Sequence, residues 1–418
     1  MSLLGTPLLV VLAGFAVAIP VATVLLWSRV CGPSALRGAA RLTMLLAGQL
    51  ATVALAAALA NNYGQFYSSW SDLLGSSAPP PKVASYGASS GAQHSERTRT
   101  AVSRPLGPPT GTMRVVGSSD WSSRSEWAVR GRVMEVRITG RLSGLGVSGY
   151  VYLPPQYFTA AGAHRRFPAV EVMTGYPGSA LNLVSRMDYP GKALDQVRAH
   201  RAQPMIYVMF SPTVARPRDT ECTNVPGGPQ TEMFLAAELP SAVAHAVRVR
   251  PGPWGAVGDS TGGYCAAKLA MHHPNVFAGA VSLSGYYYAR SDITTGDLWG
   301  GSRANRDYND LEWLLAHRPA PMTSLFVTIS KGETHRDGYA DTMRFLHLVK
   351  PPLHVTALIE MMGGHNYGTW DREIPPALAW LSDRLASGVV RRVHVPTSGS
   401  AALQAGAPPR TPLSRAAR

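Results

Sequence analysis

Trp254-Gly255-Ala256-Val257-Gly258-Asp259-Ser260-Thr261-Gly262-Gly263-Tyr264 is the stretch whose reading sets the architecture. It opens with an apolar run of strand length, and 261–272 follows with a helical pattern. Between the two stands Gly-x-Ser-x-Gly, at 258–262. A serine on so tight a strand-to-helix turn is forced into strained backbone with its hydroxyl exposed. Side chains two positions either way would strike the neighbouring strand or helix. The helix start behind Ser260 also favours developing negative charge. Ser260 is therefore the candidate nucleophile; an ordinary serine on a glycine-rich turn is the bland alternative.

Working outward, strands are expected at 132–139, 149–153, 169–174, 205–210, 254–258, 279–284, 324–330 and 355–361. Helices are expected at 232–249, 261–272, 338–349 and 375–386. Several strands are almost continuous apolar runs, as strands covered on both faces are. Strand–helix alternation over ~275 residues predicts an α/β fold, a mostly parallel sheet with helices on both faces. In such sheets the chemistry gathers at the carboxyl ends of the strands.

A serine nucleophile needs a base, and after this kind of turn the chain order is serine, acid, histidine. His365 sits in Met361-Met362-Gly363-Gly364-His365-Asn366, just past the last strand, and is the candidate general base. The acid that would hold its tautomer follows the strand at 324–330. Glu333, nearest the strand end, is the first candidate and Asp337 the second. The tetrahedral intermediate also needs backbone donors. These are assigned to the N–H groups of Thr261 and of Tyr176, the latter in the Thr174–Gly178 loop after the strand at 169–174. Cys222 and Cys265 are either a disulfide bracing the loop beside Ser260 or two unrelated buried thiols. No Cys/His grouping has zinc spacing and no phosphate-cradling glycine loop precedes a helix, so neither metal nor cofactor is expected.

Together these motifs resemble the α/β-hydrolase superfamily. More narrowly, 112–387 resembles the putative-esterase family that contains esterase D-like enzymes and the secreted mycolyltransferases. The resemblance rests on Gly258–Gly262, on Gly263-Tyr264-Cys265-Ala266, on Gly363-Gly364-His365-Asn366-Tyr367-Gly368-Thr369-Trp370, and on Thr174–Gly178. It implies an α/β-hydrolase fold, Ser260 as nucleophile, His365 as base and Glu333 as acid. It also implies cofactor-free cleavage or transfer of a carboxylic ester through an acyl-enzyme.

The rest of the chain places this domain. The 418 residues are 45% hydrophobic and 15% charged, with 3 Cys, which excludes both a disordered chain and a disulfide miniprotein. The net charge is +14, but 112–387 holds only 27 basic against 23 acidic residues. The tail, 388–418, carries Arg391, Arg392, Arg410, Arg415 and Arg418 without an acid. No basic stripe interleaved with aromatics exists, so nucleic acid is not an expected partner.

Residues 3–27 and 42–60 are free of charge, and each is about as long as the ~20 residues a membrane helix needs. Arg29, Arg37 and Arg41 lie between them, in what reads as a cytoplasmic loop, so both ends of the hairpin face outward. Tyr63, Phe66, Tyr67 and Trp70 follow as an interfacial belt. Ala58-Leu59-Ala60 resembles a signal-peptide cleavage site but lies too far into the chain for an ordinary one. The expected organisation is a transmembrane hairpin and interfacial segment (1–74), a flexible linker (75–111), the α/β-hydrolase domain (112–387) and a disordered basic tail (388–418).

The function expected is a membrane-anchored, extracytoplasmic serine esterase acting on a small-molecule or lipid ester, with membrane lipids as partners of the hairpin. Acyl transfer to a cell-envelope sugar or lipid is the enzymatic alternative. A catalytically inactive hydrolase-fold binding protein is the alternative of another class.

Overall fold

The structure, a computed structural model of the full chain, describes residues 3–64, 66–67, 69–75, 80–87 and 108–386. Two helices, α1 (Thr6–Leu26) and α2 (Ser34–Gly64), come first and pack against each other. Both are long and apolar enough to cross a membrane. Their outward faces carry Val17, Val24, Leu50 and Val53, each more than 60% exposed, so these are not the core helices of a soluble protein. Because α2 begins at Ser34, Arg37 and Arg41 stand on its first turns rather than in the connecting loop, which corrects the expectation. The Arg41 guanidinium lies 4.7 Å over the Trp27 ring and donates to the Trp27 carbonyl, so the charge stays at that end of the hairpin.

Ten strands follow: β1 (Lys82–Tyr86), β2 (Gly111–Ser118), β3 (Arg132–Gly140), β4 (Gly146–Leu153) and β5 (Ala169–Met173), then β6 (Ile206–Phe210), β7 (Trp254–Asp259), β8 (Phe277–Leu283), β9 (Ser324–Ser330) and β10 (His354–Glu360). They form one sheet in the order β1-β10-β9-β8-β7-β5-β6-β4-β3-β2. The run from β10 to β6 is parallel, and β1 at one edge and β4, β3 and β2 at the other are antiparallel. The mostly parallel centre with helices on both faces is the architecture expected from the alternation.

Two departures bear on organisation. Residues 82–86, expected in a flexible linker, are an ordered strand in which Lys82 pairs with Ile359 and Tyr86 with Val355. The sheet also takes in Gly111–Ser118. Of the linker, 76–79 and 88–107 lie outside the described residues, as does the tail 388–418.

Each face of the sheet has its own apolar core. One gathers Val136, Phe210, Phe234, Leu269 and Phe345 beneath the helices Leu239–Ala246, Thr261–His272 and Tyr339–Leu348. The other gathers Val172, Met209, Val257, Leu283 and Leu381 beneath Tyr189–Arg198 and Tyr367–Leu385. The last helix starts at Tyr367, well before the expected 375, and carries Pro375 and Pro376 inside it. Glu171, on the central strand β5, is fully buried with neither carboxylate oxygen bonded to a described residue. Burial drives its carboxyl well above the ordinary range, which keeps it neutral.

Candidate active site

Ser260 follows β7 and caps the helix Thr261–His272 at φ 53° and ψ −120°, a left-handed conformation rare for a residue with a side chain. The flanking glycines make the turn possible: a Cβ at Gly258 would collide with the Gly262 backbone, and one at Gly262 with the Met173 carbonyl. Ser260 Oγ lies 2.9 Å from His365 Nε2, and His365 Nδ1 lies 2.8 Å from Glu333 Oε2. The three side chains thus form one hydrogen-bonded line across 105 residues of chain.

His365 sits on the loop between β10 and the last helix. Gly363 turns that loop at φ 144°, Gly364 N–H donates to Thr369 Oγ1 at 3.0 Å, and the Asn366 side chain caps the helix through Thr369 N–H at 2.9 Å. Glu333, fully buried, follows β9. Its Oε1 accepts from the Ser284 hydroxyl at 2.8 Å and from Ser330 N–H at 3.1 Å. Burial alone would raise this carboxyl, but His365, Ser284 and Ser330 together outweigh it and hold the group below its ordinary value. It therefore stands ionised beside the imidazole, where it can fix the tautomer and stabilise an imidazolium.

Asp337, the second candidate acid, is engaged elsewhere. It pairs with Arg290 at 2.7 Å and accepts from the Tyr288 hydroxyl, so the structure brings Glu333 and not Asp337 to His365. His335 is a neighbour, its ring 5.6 Å edge-on from that of His365. Ligand atoms of Glu333, His335 and His365 lie within 4.8 Å of one another, close enough for a metal ion. Both His365 nitrogens, however, already face hydrogen-bond partners there.

The Thr174–Gly178 loop lies directly over the serine. A Cβ at Gly175 would come within 2.8 Å of Ser260 Cβ, and Gly175 N–H donates to Asp259 Oδ2 at 2.9 Å. With that N–H engaged, Tyr176 N–H is the next donor along the loop, and Tyr176 lines the same cavity as Ser260. Thr261 Oγ1 accepts from the Tyr286 hydroxyl (3.0 Å), which also contacts the buried Glu221 carboxyl at 2.7 Å. Cys222 follows Glu221 and is joined by a disulfide to Cys265, with Cα atoms 5.7 Å apart. The two cysteines are therefore not unrelated thiols.

Residues 144–381 match the family model described as Putative esterase, more than half of the chain. The chain belongs to that family. Within this esterase-family chain, 75 residues are 41% identical to the MPT51/MPB51 antigen of Mycobacterium tuberculosis, covering 18% of this chain and 25% of the relative. The MPT51 antigen of Mycobacterium leprae matches with the same identity and coverage. The chain thus spans about a quarter of the length of the curated relatives it matches. Among solved structures, an S-formylglutathione hydrolase from Agrobacterium tumefaciens superposes with a TM-score of 0.54 at 15% identity, over 65% of this chain and 99% of the other. A ferulic acid esterase gives 0.51 at 15% identity, over 61% and 99%. At such identities the likeness is one of fold.

Three residues of this esterase-family site carry no sequence expectation. Ser284, beyond the end of β8 at φ 46°, orients Glu333. Asp259, inside the motif, holds the Gly175 loop; burial pushes its carboxyl up to about 6, against the opposing Gly175 hydrogen bond. Asn366 reaches away from the domain altogether: its side-chain amide donates to the Phe66 carbonyl beyond α2. A serine preceding a glycine at a strand end is a signal for the first. The other two have none, because their partners are far away in sequence.

Proposed function

We propose that this chain is a membrane-anchored serine ester hydrolase whose catalytic domain lies outside the cytoplasm. The observation that carries the reading is the line Ser260 Oγ–His365 Nε2–His365 Nδ1–Glu333 Oε2, with steps of 2.9 and 2.8 Å, at the floor of a cavity of ≈ 910 Å³. Ser260 Oγ attacks the ester carbonyl while His365 Nε2 takes its proton. The oxyanion is met by the N–H groups of Tyr176 and Thr261, with the helix start behind the latter. As the intermediate collapses, His365 returns the proton to the departing alcohol and the acyl group stays on Ser260. Water, activated by the same imidazole, then releases the acid.

The anchoring half of the reading is supported by two apolar helices whose outward faces are exposed. Arg29, Arg37 and Arg41 stand at the end where the helices connect, and no Lys or Arg lies in 61–75. By the positive-inside rule the connection is cytoplasmic and the esterase domain is not.

Hydrolysis of p-nitrophenyl butyrate by the full chain in detergent tests the chemistry. Wild type turns it over, and Ser260→Ala and His365→Ala each lose about 10³-fold or more. Equal activity in all three proteins rejects the assignment. Added glycerol or trehalose then reports whether an alcohol outruns water for the acyl-enzyme, since both attack the same intermediate.

A further inference from the structure

The cavity above Ser260 is walled on one side by residues that belong to the hairpin. Leu8 and Leu12 of α1 and Ala54, Ala57 and Ala58 of α2 line it, together with the loop carrying Tyr176 and with His365. The small side chains of α2 leave a trough where larger ones would close it. That trough follows α2 from Ala54 to Asn61, ~10 Å at 1.5 Å per residue, comparable with much of one leaflet of a ~30 Å hydrocarbon layer.

The wall is also fastened to the catalytic loop. The Asn366 amide, one residue after the candidate base, donates to the Phe66 carbonyl and lies 3.5 Å from an Asp72 carboxylate oxygen. Asn61, at the end of α2, in turn holds Tyr67 through both its backbone groups, at 2.8 and 3.0 Å. Phe66, Tyr67, Trp70 and Leu73 thereby become a rim between helix and serine. A mere tether needs none of these bonds.

We infer that α1 and α2 form the acyl-binding wall of the site, and that the substrate is a long-chain ester resident in the membrane. Its chain lies along Leu8, Leu12, Ala54 and Ala57 while its carbonyl reaches Ser260. This rests on the serine-esterase and membrane-anchor readings above. A long chain partitions into the bilayer, which concentrates the ester beside the cavity, and contacts along the trough then place its carbonyl at Ser260; a short ester gains neither. Filling the trough must therefore change the dependence on chain length rather than the chemistry.

The test uses the full chain in phosphatidylcholine nanodiscs with p-nitrophenyl acetate and p-nitrophenyl dodecanoate. Wild type prefers the dodecanoate. In Ala54→Trp and, independently, in Leu12→Trp, the dodecanoate-to-acetate ratio of kcat/KM falls about tenfold or more. Leu46→Trp, on α2 away from the cavity, leaves the ratio unchanged. Because acetate turnover reports an intact site, a variant that cleaves neither ester is replaced by the milder Ala57→Leu, for which a several-fold fall in the ratio is expected. A ratio that stays at the wild-type value in the filled variants, or a wild type indifferent to chain length, overturns the inference while leaving the esterase reading intact. A wild type inert toward both esters overturns that reading, and this inference with it.

Discussion

At Ser260 the backbone sits where a residue with a Cβ loses ~1–3 kcal/mol, a cost that surrounding structure must offset. The offset comes from the strand–turn–helix around it and from Asp259, which ties the Gly175 loop to the same turn. Two side chains then decide how the site behaves. Glu333→Gln keeps the shape but replaces the charge that holds the imidazole, so kcat should fall ~10³–10⁴-fold with KM little changed. Steady-state kinetics on a nitrophenyl ester checks this, and a loss under tenfold contradicts the assigned role. Asp259 governs stability instead. Its folded value of about 6 lies above the unfolded 3.8. Its contribution is therefore full below pH 3.8 and is lost as pH rises through about 6. Asp259→Asn keeps an oxygen for Gly175 N–H and carries no charge to bury. Relative to wild type it should gain stability between about pH 4 and 7, by ~3 kcal/mol at most, because each tenfold change in proton affinity is worth ~1.4 kcal/mol. Denaturation midpoints at several pH values read this out; a difference constant with pH refutes it.

Among elements, the loop carrying Glu221 and the helix behind Ser260 are bound together by Cys222–Cys265, across a separation of 43 residues. Replacing both cysteines with alanine should cost ~2–4 kcal/mol in unfolding free energy, mainly by freeing the unfolded chain. Urea titration of the double variant measures it, and an unchanged midpoint denies the brace any role. The elements also show what the sequence could reveal. β7 and its helix are legible because an apolar run fully buried on both faces is bounded by glycines that only a tight turn requires. β1 is not, since Lys82 and Ser85 interrupt an edge strand whose side chains stay largely exposed. The first turns of the last helix are hidden behind Pro375-Pro376, residues that normally end a helix rather than sit inside one. The motif, chain order and position after a strand lead to Ser260, to His365 and, with Asp337 still open, to Glu333, whereas Ser284, Asp259 and Asn366 work through contacts between distant segments, which no local pattern encodes.

For the molecule as a whole, the hairpin and the site are one assembly, with Asn366 bonded to Phe66 across 300 residues. The orientation of that assembly can be read from a native thiol. With Cys222 and Cys265 in a disulfide, exposed Cys31, between α1 and α2, is the chain's one free cysteine. A membrane-impermeant maleimide should leave Cys31 unlabelled in intact cells and label it once the membrane is permeabilised; labelling in intact cells reverses the topology. The chemistry is tested most directly by treating the full chain with a fluorophosphonate and mapping the adduct by mass spectrometry. The expected result is a single phosphonylated residue, Ser260, with no adduct in His365→Ala, whose serine lacks its base. An adduct on another residue, or none on the wild-type chain, would contradict it.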